Sequence, residues 1–248
     1  MYDFTGRRAL VTGGSRGIGA AVVRQLLDGG ADVLAVARTT AYAPPQGARF
    51  ATTDLRTTEG VRALADTADR ELGGVDVIVH AAGGAQANES GSTLGLTDGD
   101  WQDVLDLNLL AAVRLDALLA PGMRDRGVGA IVHVSTAALV PPVPPFAHYQ
   151  AAKAGLESYS RSLAAELAPA GVRVNAVGPG RTATPGGEAT RQRWAGTADA
   201  TGSADVPPLG RDGLPDDVAG AVVYLASDLA SWVTGAYLSV DGGEYPRG

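Results

Sequence analysis

Short apolar runs alternate with amphipathic stretches along this chain of 248 residues. Runs rich in apolar and β-branched residues predict buried strands at 8–12, 30–37, 49–55, 75–80, 129–136, 172–177 and 233–240. Between several of them, apolar residues recur at spacings of three and four, as in residues 58–72, which predicts helices. Because strands alternate with helices, the pattern predicts an α/β fold: a doubly wound parallel sheet of about seven strands with helices on both faces.

A glycine-rich turn follows the first predicted strand directly. It reads Thr12-Gly-Gly-Ser-Arg-Gly-Ile-Gly19, and a helical pattern begins after it. Glycines allow a backbone to approach a pyrophosphate closely, and a helix N-terminus supplies free amides and a positive dipole end. The strand, turn and helix together predict a dinucleotide site, although a plain tight turn has the same glycines.

Basic residues stand where the second predicted strand ends. A carboxylate at this place would bind a ribose 2′-hydroxyl, but the chain has Ala37 there, followed by Arg38. Arg16 lies within the glycine-rich turn. Both guanidinium groups suit a 2′-phosphate, which favours NADP(H) and leaves NAD(H) possible. The alternative is that Arg38 is an ordinary surface charge.

The single lysine of the chain lies four residues after a tyrosine. Of the 20 basic residues, 19 are arginine and the remaining one is Lys153, in the stretch Tyr149-Gln-Ala-Ala-Lys153. On a helix these two side chains are neighbours. A nearby ammonium is expected to lower the pKa of Tyr149, which makes it a candidate proton donor or acceptor. A surface lysine beside a half-buried tyrosine is the simpler alternative.

Three further polar residues stand at places where side chains of the predicted fold would meet a ligand. Ser135 and Thr136 end a predicted strand, and strand alternation directs them to opposite faces. Asn108 lies inside the helical pattern that begins near Asp98, with Thr97 as N-cap. Asparagine is a mediocre residue for a helix interior, so something should hold it there.

The Gly-x-x-x-Gly-x-Gly spacing after Thr12, the Ala82-Gly83 pair and the Tyr149 and Lys153 spacing resemble the short-chain dehydrogenase/reductase family. The resemblance covers essentially the whole chain, including Pro179-Gly180 and the ending Val240-Asp-Gly-Gly243. It implies a Rossmann-type fold and hydride transfer between NADP(H) and a carbonyl or secondary alcohol, as in a ketoreductase. An NAD-dependent alcohol dehydrogenase and a catalytically silent cofactor-binding regulator are alternatives on the same fold.

The resemblance also implies roles for individual residues. Tyr149 would protonate the substrate oxygen, Thr136 or Ser135 would hydrogen-bond it, Lys153 would hold the nicotinamide ribose, and Asn108 would position a proton-relay water. Cofactor-binding residues would be Gly13, Ser15, Arg16, Gly17, Ile18, Gly19, Arg38, Asp54, Leu55, Ala81, Ala82, Gly83, Tyr149, Lys153, Pro179, Gly180, Thr182 and Thr184.

The chain departs from the family pattern at two places. His80-Ala81 precede Ala82-Gly83 where the family has two asparagines, and His80 fits no motif, so we expect a structural role for it. The family serine lies 13 residues before the tyrosine, and that position is Thr136, which we favour over Ser135.

Composition narrows the remaining possibilities. A net charge of -7 argues against nucleic-acid and anionic-membrane binding, and the chain has no cysteine, which fits a reducing cytoplasm. We expect no metal site. The length predicts a single domain spanning residues 1–248, with the polar stretch 185–209 as a substrate-lid loop. The resemblance suggests a homo-oligomer, either a tetramer or a dimer.

Overall fold

The computed structural model describes residues 2–85, 91–189 and 206–245. Its sheet has seven parallel strands in the order β3-β2-β1-β4-β5-β6-β7. The strands are β1 (Arg8–Thr12), β2 (Asp32–Ala37), β3 (Arg49–Thr52), β4 (Val77–His80), β5 (Gly129–Val134), β6 (Val172–Pro179) and β7 (Tyr237–Val240). The predicted doubly wound parallel sheet is confirmed.

The helices cover both faces of this sheet. They are α1 (Gly17–Asp28), α2 (Thr58–Leu72), α3 (Asp98–Leu105), α4 (Ala111–Arg126), α5 (Ala147–Leu167) and α6 (Pro215–Ala226). One core cluster packs α1 and α6 against the sheet. The other cluster packs α2, α4 and α5 against the opposite face. Burial of these two apolar layers is the main force that holds the elements together.

The direction of winding reverses between β1 and β4. The chain builds β2 and β3 on one side of β1, then returns to place β4 on the other side. As a result Thr12 and His80 are paired neighbours at the carboxyl ends of these strands. Ligands of doubly wound sheets bind at such a point, and the glycine-rich turn begins there.

Local signals explain where the helices begin and end. The helix α2 has the predicted bounds, because the Thr57 side chain accepts a hydrogen bond from the Gly60 amide and Gly73 ends the helix in the left-handed conformation. Thr97 and Asp100 form a capping box at the start of α3. The predicted helix through Asn108 is interrupted by a π-helical segment, Asp106–Leu110.

Two predictions about the chain's course need correction. The expected loop 185–209 is wrong at its start, because residues 185–189 are helical and the Thr184 hydroxyl caps them through the Gly187 amide. Residues 190–205 of that prediction lie outside the described residues. The last strand begins at Tyr237 instead of residue 233, because a turn occupies the positions before Gly235.

Within the described ranges, no helix is both long and apolar enough to cross a membrane. The longest, α5, carries Lys153, Glu157, Arg161 and Glu166 along its 21 residues.

Candidate active site

The glycine-rich turn lies tightly against the end of β4. Gly13 has φ +69°, and a Cβ on it would lie 2.8 Å from the carbonyl oxygen of Ala81. A Cβ on Gly19 would lie 2.2 Å from the carbonyl oxygen of Gly13. Because side chains are excluded at both positions, the backbone of the turn stays bare and close to β4, as a pyrophosphate cradle requires.

The N-terminus of α1 lacks the groups that usually neutralise a helix start. Its N-cap, Arg16, makes no side-chain cap hydrogen bond, and the first turn contains no acidic residue. The amides of this turn, which include those of Ile18 and Gly19, therefore suit an external anion. Ser15 precedes them in the turn and is partly buried.

Two exposed arginines flank this anion-binding geometry. Arg16 lies with its guanidinium carbon 5.5 Å from the ring centre of Tyr42. Arg38 follows β2, and neither arginine makes an ion pair with any residue that the structure describes. Asp54, in contrast, is paired with Arg56, and the adjacent Leu55 is buried. This end of the site therefore offers two positively charged groups to an anionic ligand.

The segment after β4 is held by two side chains from elsewhere in the fold. The Ala82 amide donates to the Thr12 hydroxyl over 3.1 Å. The Asn108 amide group brackets Gly84, accepting from its N–H at 3.0 Å and donating to its carbonyl at 3.2 Å. A Cβ on Gly83 would lie 3.2 Å from Lys153 Nζ. Asn108 thus pins this glycine segment beside the lysine.

The segment after β6 lies opposite the glycine-rich turn. A Cβ added to Gly17 would lie 3.2 Å from the Thr184 methyl group, so the two segments meet there. The Thr182 hydroxyl donates to the Gly180 carbonyl, and Pro179 accepts from the amide of Ala137.

Val240 and Glu244, near the C-terminus, hold this segment in place. Reasoning from the sequence did not predict these contacts. The Gly180 amide donates to the Val240 carbonyl at 3.0 Å, and the Arg181 amide donates to the buried Glu244 carboxylate at 3.0 Å. The family-like ending after β7 therefore fixes the position of residues 179–184.

Tyr149, Lys153 and Thr136 come together where α5 begins against the end of β5. The Thr136 hydroxyl is hydrogen-bonded to the Tyr149 phenol. Lys153 Nζ lies 6.0 Å from the centre of the Tyr149 ring and donates to the Val134 carbonyl at 2.8 Å. A phenol, a hydroxyl and an ammonium therefore share one corner of the sheet's carboxyl edge.

Ser135 is directed away from this corner, as strand alternation requires. Its hydroxyl donates to the buried Glu157 carboxylate at 2.9 Å and lies 3.4 Å from the Lys153 carbonyl. The structure thus brings Thr136, and not Ser135, to Tyr149.

The pKa of Tyr149 contradicts the expectation that Lys153 lowers it. In the chain alone, burial raises the pKa of Tyr149 to about 12, outweighing the hydrogen bond from Thr136. Burial also lowers the pKa of Lys153 to about 8, although the Glu157 carboxylate acts in the opposite direction. Desolvation is therefore the dominant influence on both groups.

Gln150 holds the proline-rich connection that precedes α5. Its amide group accepts from the Val143 N–H at 3.0 Å and donates to the Ala138 and Pro141 carbonyls at 3.0 and 3.1 Å. The prolines of this connection restrict its backbone. The hydrogen bonds of Gln150, the residue after Tyr149, restrict this connection further.

A second polar cluster lies deeper in the protein. His80 Nε2 and His133 Nε2 lie 2.8 and 3.1 Å from different oxygens of the Asp116 carboxylate, and Tyr159 is hydrogen-bonded to the same carboxylate. All but Tyr159 are buried. Burial opposes ionisation of Asp116, yet the two histidines hold its pKa well below the usual range.

The geometry of this cluster is that of a hydrogen-bonded network. Its ligand-type atoms lie within 4.8 Å of one another. The two imidazole rings, however, are 5.0 Å apart and within 16° of parallel. Each ring meets its own oxygen of the Asp116 carboxylate. His80 has a structural partner that the sequence did not reveal.

Comparisons with known proteins agree with this geometry. A family model described as enoyl-(acyl carrier protein) reductase matches residues 13–244. The chain is 38% identical to a protein of Streptomyces virginiae provisionally named a monensin polyketide synthase ketoacyl reductase, over 98% of both chains. It is 36% identical to 3beta-hydroxysteroid dehydrogenase 1 of Eggerthella lenta, over 98% of this chain and 95% of the relative.

A solved structure of a short chain dehydrogenase/reductase family protein superimposes with a TM-score of 0.85 at 37% identity. The match covers 98% of this chain and 99% of that one. The chain therefore belongs to the short-chain dehydrogenase/reductase family, whose members are oxidoreductases that use nicotinamide cofactors.

Proposed function

We propose that the protein is an NADPH-dependent ketoreductase in which Tyr149 is the proton donor. One observation carries the proposal: the Tyr149 phenol, the Thr136 hydroxyl and the Lys153 ammonium share one corner of the sheet's carboxyl edge, the edge at which the glycine-rich turn also lies. This set can polarise and protonate a carbonyl oxygen beside a bound dinucleotide. When bound, the cofactor supplies the hydride.

Each of the three side chains has a distinct task. The Tyr149 phenol donates its proton to the substrate oxygen as negative charge develops there. The Thr136 hydroxyl donates a hydrogen bond to the same oxygen and orients it. Lys153 uses one of its three N–H donors on the Val134 carbonyl, which leaves two for the cofactor ribose and the phenol.

Asn108 contributes to this arrangement by position. Its side chain hydrogen-bonds Gly84 twice and the Val104 carbonyl once. It therefore fixes the segment after β4 beside Lys153, where the nicotinamide half of the cofactor would lie. The π-helical segment that holds Asn108 resembles those that often occur at functional sites.

The preference for NADPH rests on Arg16 and Arg38. Both are exposed and lack an acidic partner within the described ranges, and Ala37 cannot bind a ribose 2′-hydroxyl as a carboxylate would. A 2′-phosphate between the two guanidinium groups satisfies both charges.

The substrate class follows from the relatives and from the site. Proteins named as a ketoacyl reductase and as a hydroxysteroid dehydrogenase both match this chain end to end. Both names denote the interconversion of a ketone and a secondary alcohol, the chemistry that a phenol, a hydroxyl and an ammonium support. We therefore propose a small or polycyclic ketone as substrate, and residues 185–209 as the segment that selects it.

An absorbance assay tests this function. Purified protein is mixed with NADPH or NADH and a panel of β-ketoesters, diketones, quinones and steroid ketones, and loss of reduced-nicotinamide absorbance is followed. Turnover with NADPH that exceeds turnover with NADH at least tenfold is expected. Tight NADPH binding without turnover on any compound, at pH values from 6 to 9, would instead support a cofactor-binding regulator.

We also propose that the protein is a homo-oligomer built from one domain. Among the residues that the structure describes, the edge strand β7 is paired on one side only, and Trp232 before it is 99% exposed. Leu229 and Leu238 are exposed nearby. An open edge with apolar side chains favours pairing with a second copy. Light scattering after gel filtration should show a dimer or tetramer, and Trp232→Glu should shift it towards smaller species.

A further inference from the structure

A second phenol reaches the corner of the sheet that holds Tyr149. Tyr237 begins the edge strand β7, and its hydroxyl donates to the Thr136 carbonyl at 2.8 Å. Thr136 lies just after β5, and β6 lies between β5 and β7 in the sheet. The Tyr237 side chain therefore reaches across β6. It lies close enough to Tyr149 to influence the pKa of that phenol.

Gly178 makes this crossing possible. In the register of β6 and β7, Tyr237 is opposite Ala176, and Gly178 is two residues farther along the same face. A Cβ on Gly178 would lie 1.6 Å from the Tyr237 hydroxyl oxygen and 2.3 Å from the carbon that bears it. The phenol therefore occupies the space that any other side chain at position 178 would need.

The Thr136 carbonyl accepts a hydrogen bond from this phenol. The amides on either side of it, those of Ser135 and Ala137, donate to β6 carbonyls at 2.7 and 2.8 Å. Thr136 itself is buried. The N–H of the same peptide group, on Ala137, donates to the Pro179 carbonyl, so Tyr237 is the second of two contacts that hold this peptide in place. The position of this peptide affects where the Thr136 side chain lies.

We propose that Tyr237, through the space left by Gly178, is a positioning residue for Thr136 in carbonyl reduction. The inference rests on the proposed function, because it assigns Thr136 a contact with the substrate oxygen. The hydrogen bond of Tyr237 acts on the reaction through Thr136. The Thr136 hydroxyl also accepts from the Ala138 amide at 3.2 Å, so its position can be observed apart from turnover.

The kinetic experiment compares two tyrosine variants. Tyr237→Phe keeps the ring and removes the hydroxyl, and Tyr224→Phe on α6 is the matched control. We expect kcat to fall roughly tenfold in Tyr237→Phe, with the KM for NADPH unchanged, because a hydrogen bond of ordinary strength is lost. The control should keep kcat within about twofold. An unchanged kcat in Tyr237→Phe would overturn the proposal.

Hydrogen exchange tests the positioning role of Tyr237 even if no compound in the panel is reduced. A Tyr237→Phe protein should exchange the Ala138 amide at least several-fold faster than the wild type, while Tyr224→Phe should not. Equal protection of Ala138 in all three proteins would refute the positioning role. Absence of wild-type turnover with altered Ala138 exchange would instead count against the proposed function alone.

A double-variant experiment tests whether a side chain at position 178 acts by displacing the Tyr237 phenol. Gly178→Ala should mimic the kinetic loss of Tyr237→Phe, because the methyl group displaces the phenol. In a Tyr237→Val background the space is free, so adding Gly178→Ala should change kcat by less than about twofold. An equal further loss in both backgrounds would show that position 178 acts independently of Tyr237.

Discussion

Two buried polar clusters lie along the same strand and the same helix, yet they are built differently. The strand β5 carries His133 in one cluster, and its end leads to Thr136 in the other. The helix α5 likewise contributes Tyr159 to the first and Tyr149 to the second. In the cluster around Asp116, each of the two histidines and Tyr159 meets the same carboxylate. All of these contacts lie within the protein, and we call this group the closed cluster. In the described part of the chain, its one buried atom without a hydrogen-bond partner is His133 Nδ1.

The cluster around Tyr149 keeps hydrogen-bonding capacity for another molecule. Lys153 is buried and donates to the Val134 carbonyl, with two further N–H groups on the same nitrogen. Its pKa is lowered and that of Tyr149 is raised, because neither has a partner that compensates its burial fully. Hydrogen bonds within the closed cluster stabilise the fold. The cluster around Tyr149, which we call the open cluster, keeps N–H groups of Lys153 available to a ligand.

Replacing Asp116 by Asn should lower the free energy of unfolding by about 3–5 kcal/mol, because an amide N–H would face an imidazole N–H in a buried site. Urea unfolding measures this loss. Asp125→Asn, on the exposed surface of the same helix, is the control and should change little. The folded fraction of the Asp116 variant should retain kcat within about threefold. A stability loss below about 1 kcal/mol would contradict this account of the closed cluster.

Replacing Thr136 by Val should lower kcat by roughly 10²–10³-fold, because a donor to the developing oxyanion is removed at nearly constant volume. Ser135→Ala, at the adjacent position that faces Glu157, should lower kcat less than about fivefold. Steady-state kinetics with the best ketone of the panel separates the two. A larger loss in the Ser135 variant would reverse their assignment.

Replacing Arg38 by Ala should weaken NADPH binding about tenfold, because one charge-assisted contact to the 2′-phosphate is lost. The affinity for NADH, which lacks this phosphate, should not change. Fluorescence titration with both cofactors measures the effect, and Arg62→Ala, an exposed arginine on α2, is the matched control. Equal weakening of NADH and NADPH binding would show that Arg38 does not read the phosphate.

The pH dependence of stability should reveal the buried lysine. Burial lowers the folded-state pKa of Lys153 to about 8, below its ordinary value near 10.5. As pH rises through 8 the folded protein releases this proton while the unfolded chain keeps it, so stability increases. Between pH 7.5 and 9 the gain should be about 1 kcal/mol relative to Lys153→Met. Identical pH dependence in both proteins would exclude a strongly lowered pKa.

Much of the architecture was predictable because it depends on local patterns. Apolar runs identified the strands of the sheet, apolar spacing gave the bounds of α2, and the Thr97 cap marked the start of α3. The glycine-rich turn was recognisable because a bare backbone after a strand is a local requirement. The single lysine drew attention to α5 because residues four apart on a helix are neighbours.

The contacts that cross the fold could not be predicted in the same way. The sequence shows no relation between Asp116 and the two histidines, because they meet only through the register of β4 and β5. The reach of Tyr237 over Gly178 depends likewise on the pairing of β6 with β7. The pKa of Tyr149 was predicted in the wrong direction because the sequence shows a nearby ammonium but not the burial of the phenol.

The most direct test measures two tyrosines of α5 side by side. Tyr149→Phe and Tyr159→Phe each remove one hydroxyl, one from the open cluster and one from the closed cluster. We expect Tyr149→Phe to lose at least about 10³-fold in NADPH-dependent ketone reduction while keeping NADPH affinity and melting temperature. We expect Tyr159→Phe to melt several degrees lower and keep its kcat. Undiminished turnover in Tyr149→Phe would contradict the account.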